Sequence, residues 1–165
     1  MDKIYKRGMT LIEIIVVLSL MAIISSVALF VSMNNYHGNN FRTVRDSLIA
    51  SLQHARLQSM NNLCLSTDSS CVTSVSHGVH IEKDENGFIL NYVLFQRNTF
   101  NPEDELNVFI EVGENITQTV LSTGATEVYF EEFSGNATAS NITLRDGTNI
   151  STINIGSEGQ IFWTN

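Results

Sequence analysis

The sequence predicts an α+β chain: a long N-terminal helix, its first half transmembrane, packed by a small head of antiparallel β-sheet. Three observations carry that prediction. Residues 9–33 form an apolar block interrupted by one charge. Residues 41–55 carry apolar side chains at three- and four-residue spacing. Beyond residue 71, short strand-like runs alternate with turn residues. At 165 residues the chain has room for one globular domain besides the helix.

The first element reads MTLIEIIVVLSLMAIISSVALFVSM from Met9 to Met33. As a helix these roughly 25 residues extend about 37 Å at about 1.5 Å each, enough to cross a ~30 Å hydrocarbon core. Thr10, Ser19, Ser25, Ser26 and Ser32 can bond back to the helix's own carbonyls. Lys3, Lys6 and Arg7 precede the block, which places residues 1–8 in the cytoplasm and the rest of this single-pass chain outside. A secretory signal peptide fits poorly, because the run is too long and no A-x-A-like site closes it. A plain signal anchor fits the length but leaves Glu13 unexplained. A carboxylate among hydrocarbon tails is expensive, which makes Glu13 a functional candidate.

The helix is expected to continue past the membrane. Phe41, Val44, Leu48, Leu52 and Ala55 form one helical stripe, the spine on which the head packs. Arg42, Arg45, Asp46, Gln53, Arg56 and Gln58 fall mainly on other faces. Asn34, Asn35, Gly38, Asn39 and Asn40 weaken the helix and suggest a bend or flexible turn. The resulting division is 1–8, 9–33 as the transmembrane half, 34–62 as the amphipathic half, and 63–165 as the β-rich head.

Strands are predicted at His77–Glu82, Phe88–Gln96, Leu106–Val112, Ile116–Leu121, Glu127–Phe133, Ile142–Arg145, Ile150–Ile155 and Gln160–Trp163. Asp84-Glu85-Asn86-Gly87 is a hairpin signal, and Asp146-Gly147 and Ser157-Glu158-Gly159 are turn signals. Seven or eight short strands after one helix give antiparallel sheets packed on the spine.

Composition argues against several functions. The net charge is -8, and residues 1–8 contribute +2 (three cations against Asp2), so the remainder carries -10. Such a chain repels phosphate backbones, and no nucleic-acid partner is expected. His77 and His80 form H-x-x-H, a spacing that points to opposite faces of a strand, and His37 and His54 have no evident partners. No G-x-S-x-G, H-E-x-x-H or phosphate loop is present. No catalytic residue, metal ligand or cofactor is assigned, and the chain is not read as an enzyme. Glu103-Asp104-Glu105 could attract calcium, but a charged turn explains it and Asp84–Gly87 better. Cys64 and Cys71 lie on the extracytoplasmic side in this topology, and the intervening L-S-T-D-S-S can turn, so a disulfide between them is expected. Two unpaired thiols are the alternative.

K-R-G-M-T-L-I-E-I-I-V-V-L at 6–18 resembles the prepilin leader junction of type IV pilins and type II secretion pseudopilins. The resemblance implies cleavage after Gly8 by the prepilin peptidase of the inner membrane. Met9, where the family most often has Phe, becomes the N-methylated first residue, and Glu13 becomes the acid at the fifth mature position. It also implies a prokaryotic host, so the N-x-[ST] sequences at Asn115, Asn136, Asn141 and Asn149 carry no sugar. A-S-L-Q-H-A-R-L-Q-S-M-N-N at 50–62 and S-T-I-N-I-G-S-E-G-Q-I at 151–161 are similar, more loosely, to the GspH/FimT minor pseudopilins. The implied function is a minor subunit of a type II secretion pseudopilus or a type IV pilus. Its implied partners are other pilin or pseudopilin subunits, the prepilin peptidase and the inner-membrane assembly platform. The alternatives are a minor pilin of a DNA-uptake or adhesion pilus and, from another class, a signal-anchored extracytoplasmic binding domain.

Overall fold

The computed structural model describes residues 10–63, 74–112 and 119–164. The chain divides into two compact units, Met1–Asn39 and Asn40–Asn165. One helix, α1 (Leu11–Asn61), contributes to both. It is followed by β1 (His77–Lys83), β2 (Ile89–Gln96), β3 (Val108–Glu111), β4 (Val120–Gly124), β5 (Glu127–Phe130), β6 (Ser140–Asp146), β7 (Asn149–Ile155) and β8 (Ile161–Thr164). The α+β class is as predicted.

The helical backbone carries through residues 34–40, so the flexible turn suggested by Gly38 and its asparagines does not form. Gly costs about 1 kcal/mol in a helix interior. Breaking the helix there would also require a second, costly nucleation event.

In the unit Asn40–Asn165 the predicted stripe is the core. Val44, Leu48, Leu52 and Ala55 are fully buried and Phe41 nearly so. They meet Val79 and Ile81 of β1, Tyr92 and Leu94 of β2, Phe130 of β5, and Ile142, Leu144, Ile153 and Ile155 of β6 and β7 in one hydrophobic cluster. The Tyr92 hydroxyl donates to the Val44 carbonyl of α1 at 3.1 Å, which satisfies the polar end of a buried ring. Arg45 and Gln58 are buried too, against the expectation for their faces. Arg45 pairs with Asp46 at 2.9 Å and its guanidinium lies 6.0 Å from the Trp163 ring centroid, so its stem packs while its charge keeps partners.

The strands form two antiparallel four-stranded sheets, in the orders β3-β2-β1-β5 and β4-β6-β7-β8. The β1–β2 hairpin turns where the Asp84 carboxylate accepts the backbone N–H groups of Asn86 and Phe88, at 2.9 and 2.8 Å. This is the local side-chain competition that makes Asp a turn residue. β4 and β5 are consecutive but belong to different sheets, and isolated bridges Phe88↔Val120 and Phe130↔Ala137 help join them. At the final turn, Gly159 has φ +70, and a Cβ there would fall on the Gly135 carbonyl oxygen. Only glycine fits that approach.

Every strand departs from its predicted bounds by at least one residue, and three cases stand out. β3 starts at Val108, because the Asp104 carboxylate holds the Leu106 N–H in a turn. β4 runs on to Gly124, and the expected start at Ile116 lies outside the described residues. β5 ends at Phe130, not Phe133. Residues 131–135 turn back, with Phe133 at φ 57 and its N–H bonded to the Ser59 carbonyl of α1 at 3.0 Å.

Candidate functional site

The N-terminal end of α1 carries the described part of the candidate site. Thr10 is its N-cap: the Thr10 hydroxyl is 3.4 Å from the Glu13 N–H, which it accepts, and the Thr10 carbonyl accepts from Glu13 and Ile14 at 3.1 and 3.2 Å. A threonine followed three residues later by glutamate is the capping-box pattern. T-x-x-E at residues 10–13 is therefore a sequence signal for the helix start. Capping of this kind stabilises a helix by about 1 kcal/mol. It also fixes Glu13 in the first turn, where the amide dipoles favour a negative charge by roughly 0.3–1 kcal/mol at an exposed site. Among the described residues the Glu13 carboxylate has no hydrogen bond or ion pair.

Beyond this turn, Leu11–Ala28 is an 18-residue stretch with mean hydropathy 2.6 and no residue buried by the rest of the chain. Its large side chains are exposed on every side, from Leu11 at 77% to Val17 at 40%. A helix that is apolar all round is one that a bilayer or other helices must surround. Its length and composition suffice to cross a membrane. The polar interruptions are neutralised internally: Ser19 donates to the Val16 carbonyl at 2.8 Å and Ser26 to the Ile23 carbonyl at 2.7 Å. Glu13 is the one charged residue of the stretch. Gly8, Met9, Cys64 and Cys71 lie outside the described residues.

Residues 4–29 match the prokaryotic N-terminal methylation motif. That match covers the N-terminal segment and, with the apolar helix, fits a type IV pilin-like N-terminus. No curated protein and no solved structure matches the chain.

The histidines and acids of the head fall as follows. His77 and His80 lie on opposite faces of β1. His77 points inward and is 1% exposed. His80 points outward, where its ring stacks on Phe100 at 4.0 Å between centroids and its Nδ1 is 4.0 Å from the Glu127 carboxylate. Glu127 also accepts the Phe100 N–H at 3.0 Å, which ties the β2–β3 connection down over the sheet. Burial pushes the imidazoles of both His77 and His80 below their ordinary pKa of 6.5, although Glu127 and Glu82 oppose the shift at His80. Asp104 stands 3.8 Å from Arg97 and, like Asp84, spends its carboxylate on backbone N–H groups of its own turn. Among the described residues no group of three His, Cys, Asp or Glu is gathered as a metal site.

Proposed function

We propose that the chain is a minor pseudopilin or pilin subunit, cut after Gly8, N-methylated at Met9, and built into a type II secretion pseudopilus or type IV pilus. The observation that carries this reading is the lone Glu13, held by the Thr10 cap in the first turn of a fully exposed apolar helix, inside a methylation motif. Cleavage after Gly8 creates an amine at Met9, four residues from Glu13. In a filament core an unpaired carboxylate is costly, and so is a desolvated amine. An opposite charge on a neighbouring subunit relieves both and selects one axial register.

The loose resemblance to GspH/FimT minor pseudopilins favours a minor subunit. Its two segments form the buried end of α1 and the β7–β8 hairpin, in which Gly159 is sterically required. The acidic balance weighs against a DNA-uptake role. In this reading the head lies in the periplasm or outside the cell, and the subunit contributes to protein secretion.

Glu13→Gln tests the assembly role. The variant is expected to insert, be cleaved and fold its head, yet fail to crosslink to partner pilins in cells carrying the filament machinery. A processed Glu13→Gln chain that crosslinks and supports secretion like wild type would remove Glu13 from assembly.

A further inference from the structure

The buried ring of His77 joins parts of the head that are distant in sequence. His77 opens β1, and its backbone N–H donates to the Ser59 hydroxyl near the end of α1 at 2.8 Å. Ser59, itself fully buried, donates onward to the Phe130 carbonyl of β5 at 2.9 Å. The ring's Nδ1 is 3.4 Å from the same hydroxyl. Its Nε2 is 3.4 Å from the amide nitrogen of Gln96 in β2, itself 4% exposed. Backbone groups at Leu63 and Val75, on either side of the connection from α1 to β1, also bond to the ring.

We propose that His77 is an acid-sensitive latch: while neutral, it holds the end of α1 to β1, β2 and β5, and a second ring proton releases that junction. A neutral imidazole has one donor and one acceptor nitrogen. The Gln96 amide N–H group can only donate, so Nε2 is the acceptor and Nδ1 carries the hydrogen. A proton added at Nε2 sets an N–H against an N–H in a site closed to water. A buried donor left unmatched is destabilising, and more so when charged.

Burial outweighs what the surroundings offer the cation: the backbone groups at Leu63 and Val75 favour it, but desolvation is the larger influence. From α1 the ring faces Ser59 and, electrostatically, His54, whose own protonation adds repulsion. From β2 it faces Gln96, and from β5 the Phe130 backbone. Among the described residues the connection contributes the backbone at Leu63 and Val75, which favours the cation without offsetting burial. Among the described residues no carboxylate interacts with the ring. His80, on the opposite face, differs because Glu127 and Glu82 favour its cation.

The direction follows from linkage. The unfolded chain binds the proton near pH 6.5 and the folded chain only at lower pH. Opening the junction therefore takes up a proton in between. Stability is complete above about pH 6.5 and falls as pH drops, by up to roughly tenfold in the closed-to-open ratio per pH unit. The latch does not depend on the filament role.

Hydrogen–deuterium exchange of the full-length protein in detergent, at about pH 7.5 and about pH 5.5 and corrected for intrinsic rates, tests it. Peptides over 56–63 and 74–80 should lose protection at the lower pH, while those over the β6–β7 hairpin keep theirs. His77→Gln should remove that acid response and His80→Gln should retain it. Exchange of the His77 ring C2 hydrogen in the wild type should report a midpoint below 6.5. No acid response, a response uniform across the head, a response unchanged in His77→Gln, a response lost in His80→Gln, or a ring midpoint at or above 6.5 would each overturn the latch. If His77→Gln does not fold at the higher pH, the wild-type ring midpoint and the location of its acid response decide.

Discussion

Replacing Ser59 with alanine removes one oxygen that satisfies two buried backbone groups. Its hydroxyl accepts the His77 N–H at 2.8 Å and donates to the Phe130 carbonyl at 2.9 Å, with no exposure to water. Each buried group left unmatched costs about 1–3 kcal/mol. The methyl of alanine fills most of the space, so little cavity penalty is added. The expected loss is about 2–4 kcal/mol, a large fraction of the 5–15 kcal/mol typical of a domain. Tyr92→Phe is the comparator. It deletes a single bond to the Val44 carbonyl, which still has its place in the helical ladder, and should cost about 1 kcal/mol. Urea unfolding of the full chain in detergent, followed by the fluorescence of Trp163, gives both values. Trp163 is the only tryptophan and lies in β8, so it reports the head and not the apolar helix. A loss at Ser59 no larger than that at Tyr92 would refute the idea that Ser59 ties α1 to β1 and β5.

Gly159→Ala should be destabilising by more than about 2 kcal/mol, because it combines a left-handed backbone with a Cβ on the Gly135 carbonyl; a change below about 0.5 kcal/mol in the same assay would contradict that geometry. Cys64 and Cys71 are expected to resist thiol labelling in non-reduced extracytoplasmic material and to become reactive after reduction. A bridge between them would add about 2 kcal/mol, and full labelling before reduction would exclude it.

Local patterns in the sequence were enough to locate most elements of the head. The spacing of Phe41, Val44, Leu48, Leu52 and Ala55 identified the buried face of α1, because burial on a helix repeats with its turn. Asp84–Gly87 and Asp146-Gly147 marked hairpins through residues that shape their own turns. What sequence could not supply was pairing across distance. β4 and β5 part into different sheets because β4 pairs with β6 and β5 with β1, partners that no local pattern names. Arg45 is buried because Trp163 lies beside it, a partner 118 positions along the chain. Phe133 looked like the end of a strand, yet a hydrogen bond to Ser59 draws it into a turn with its ring 60% exposed. At the candidate site, Glu13 was legible as a lone charge in an apolar block. Its fixed place in the first turn required the Thr10 cap to be seen.

The central claim is that residues 1–8 are a leader removed to expose a filament-forming helix. Co-expression of the full chain with a prepilin peptidase, followed by intact-mass analysis and N-terminal sequencing, tests it most directly. The account predicts a single mature species beginning at N-methylated Met9, and its loss when Gly8 is replaced by a bulky residue that obstructs the peptidase. An uncut chain, or one cut elsewhere, would contradict it.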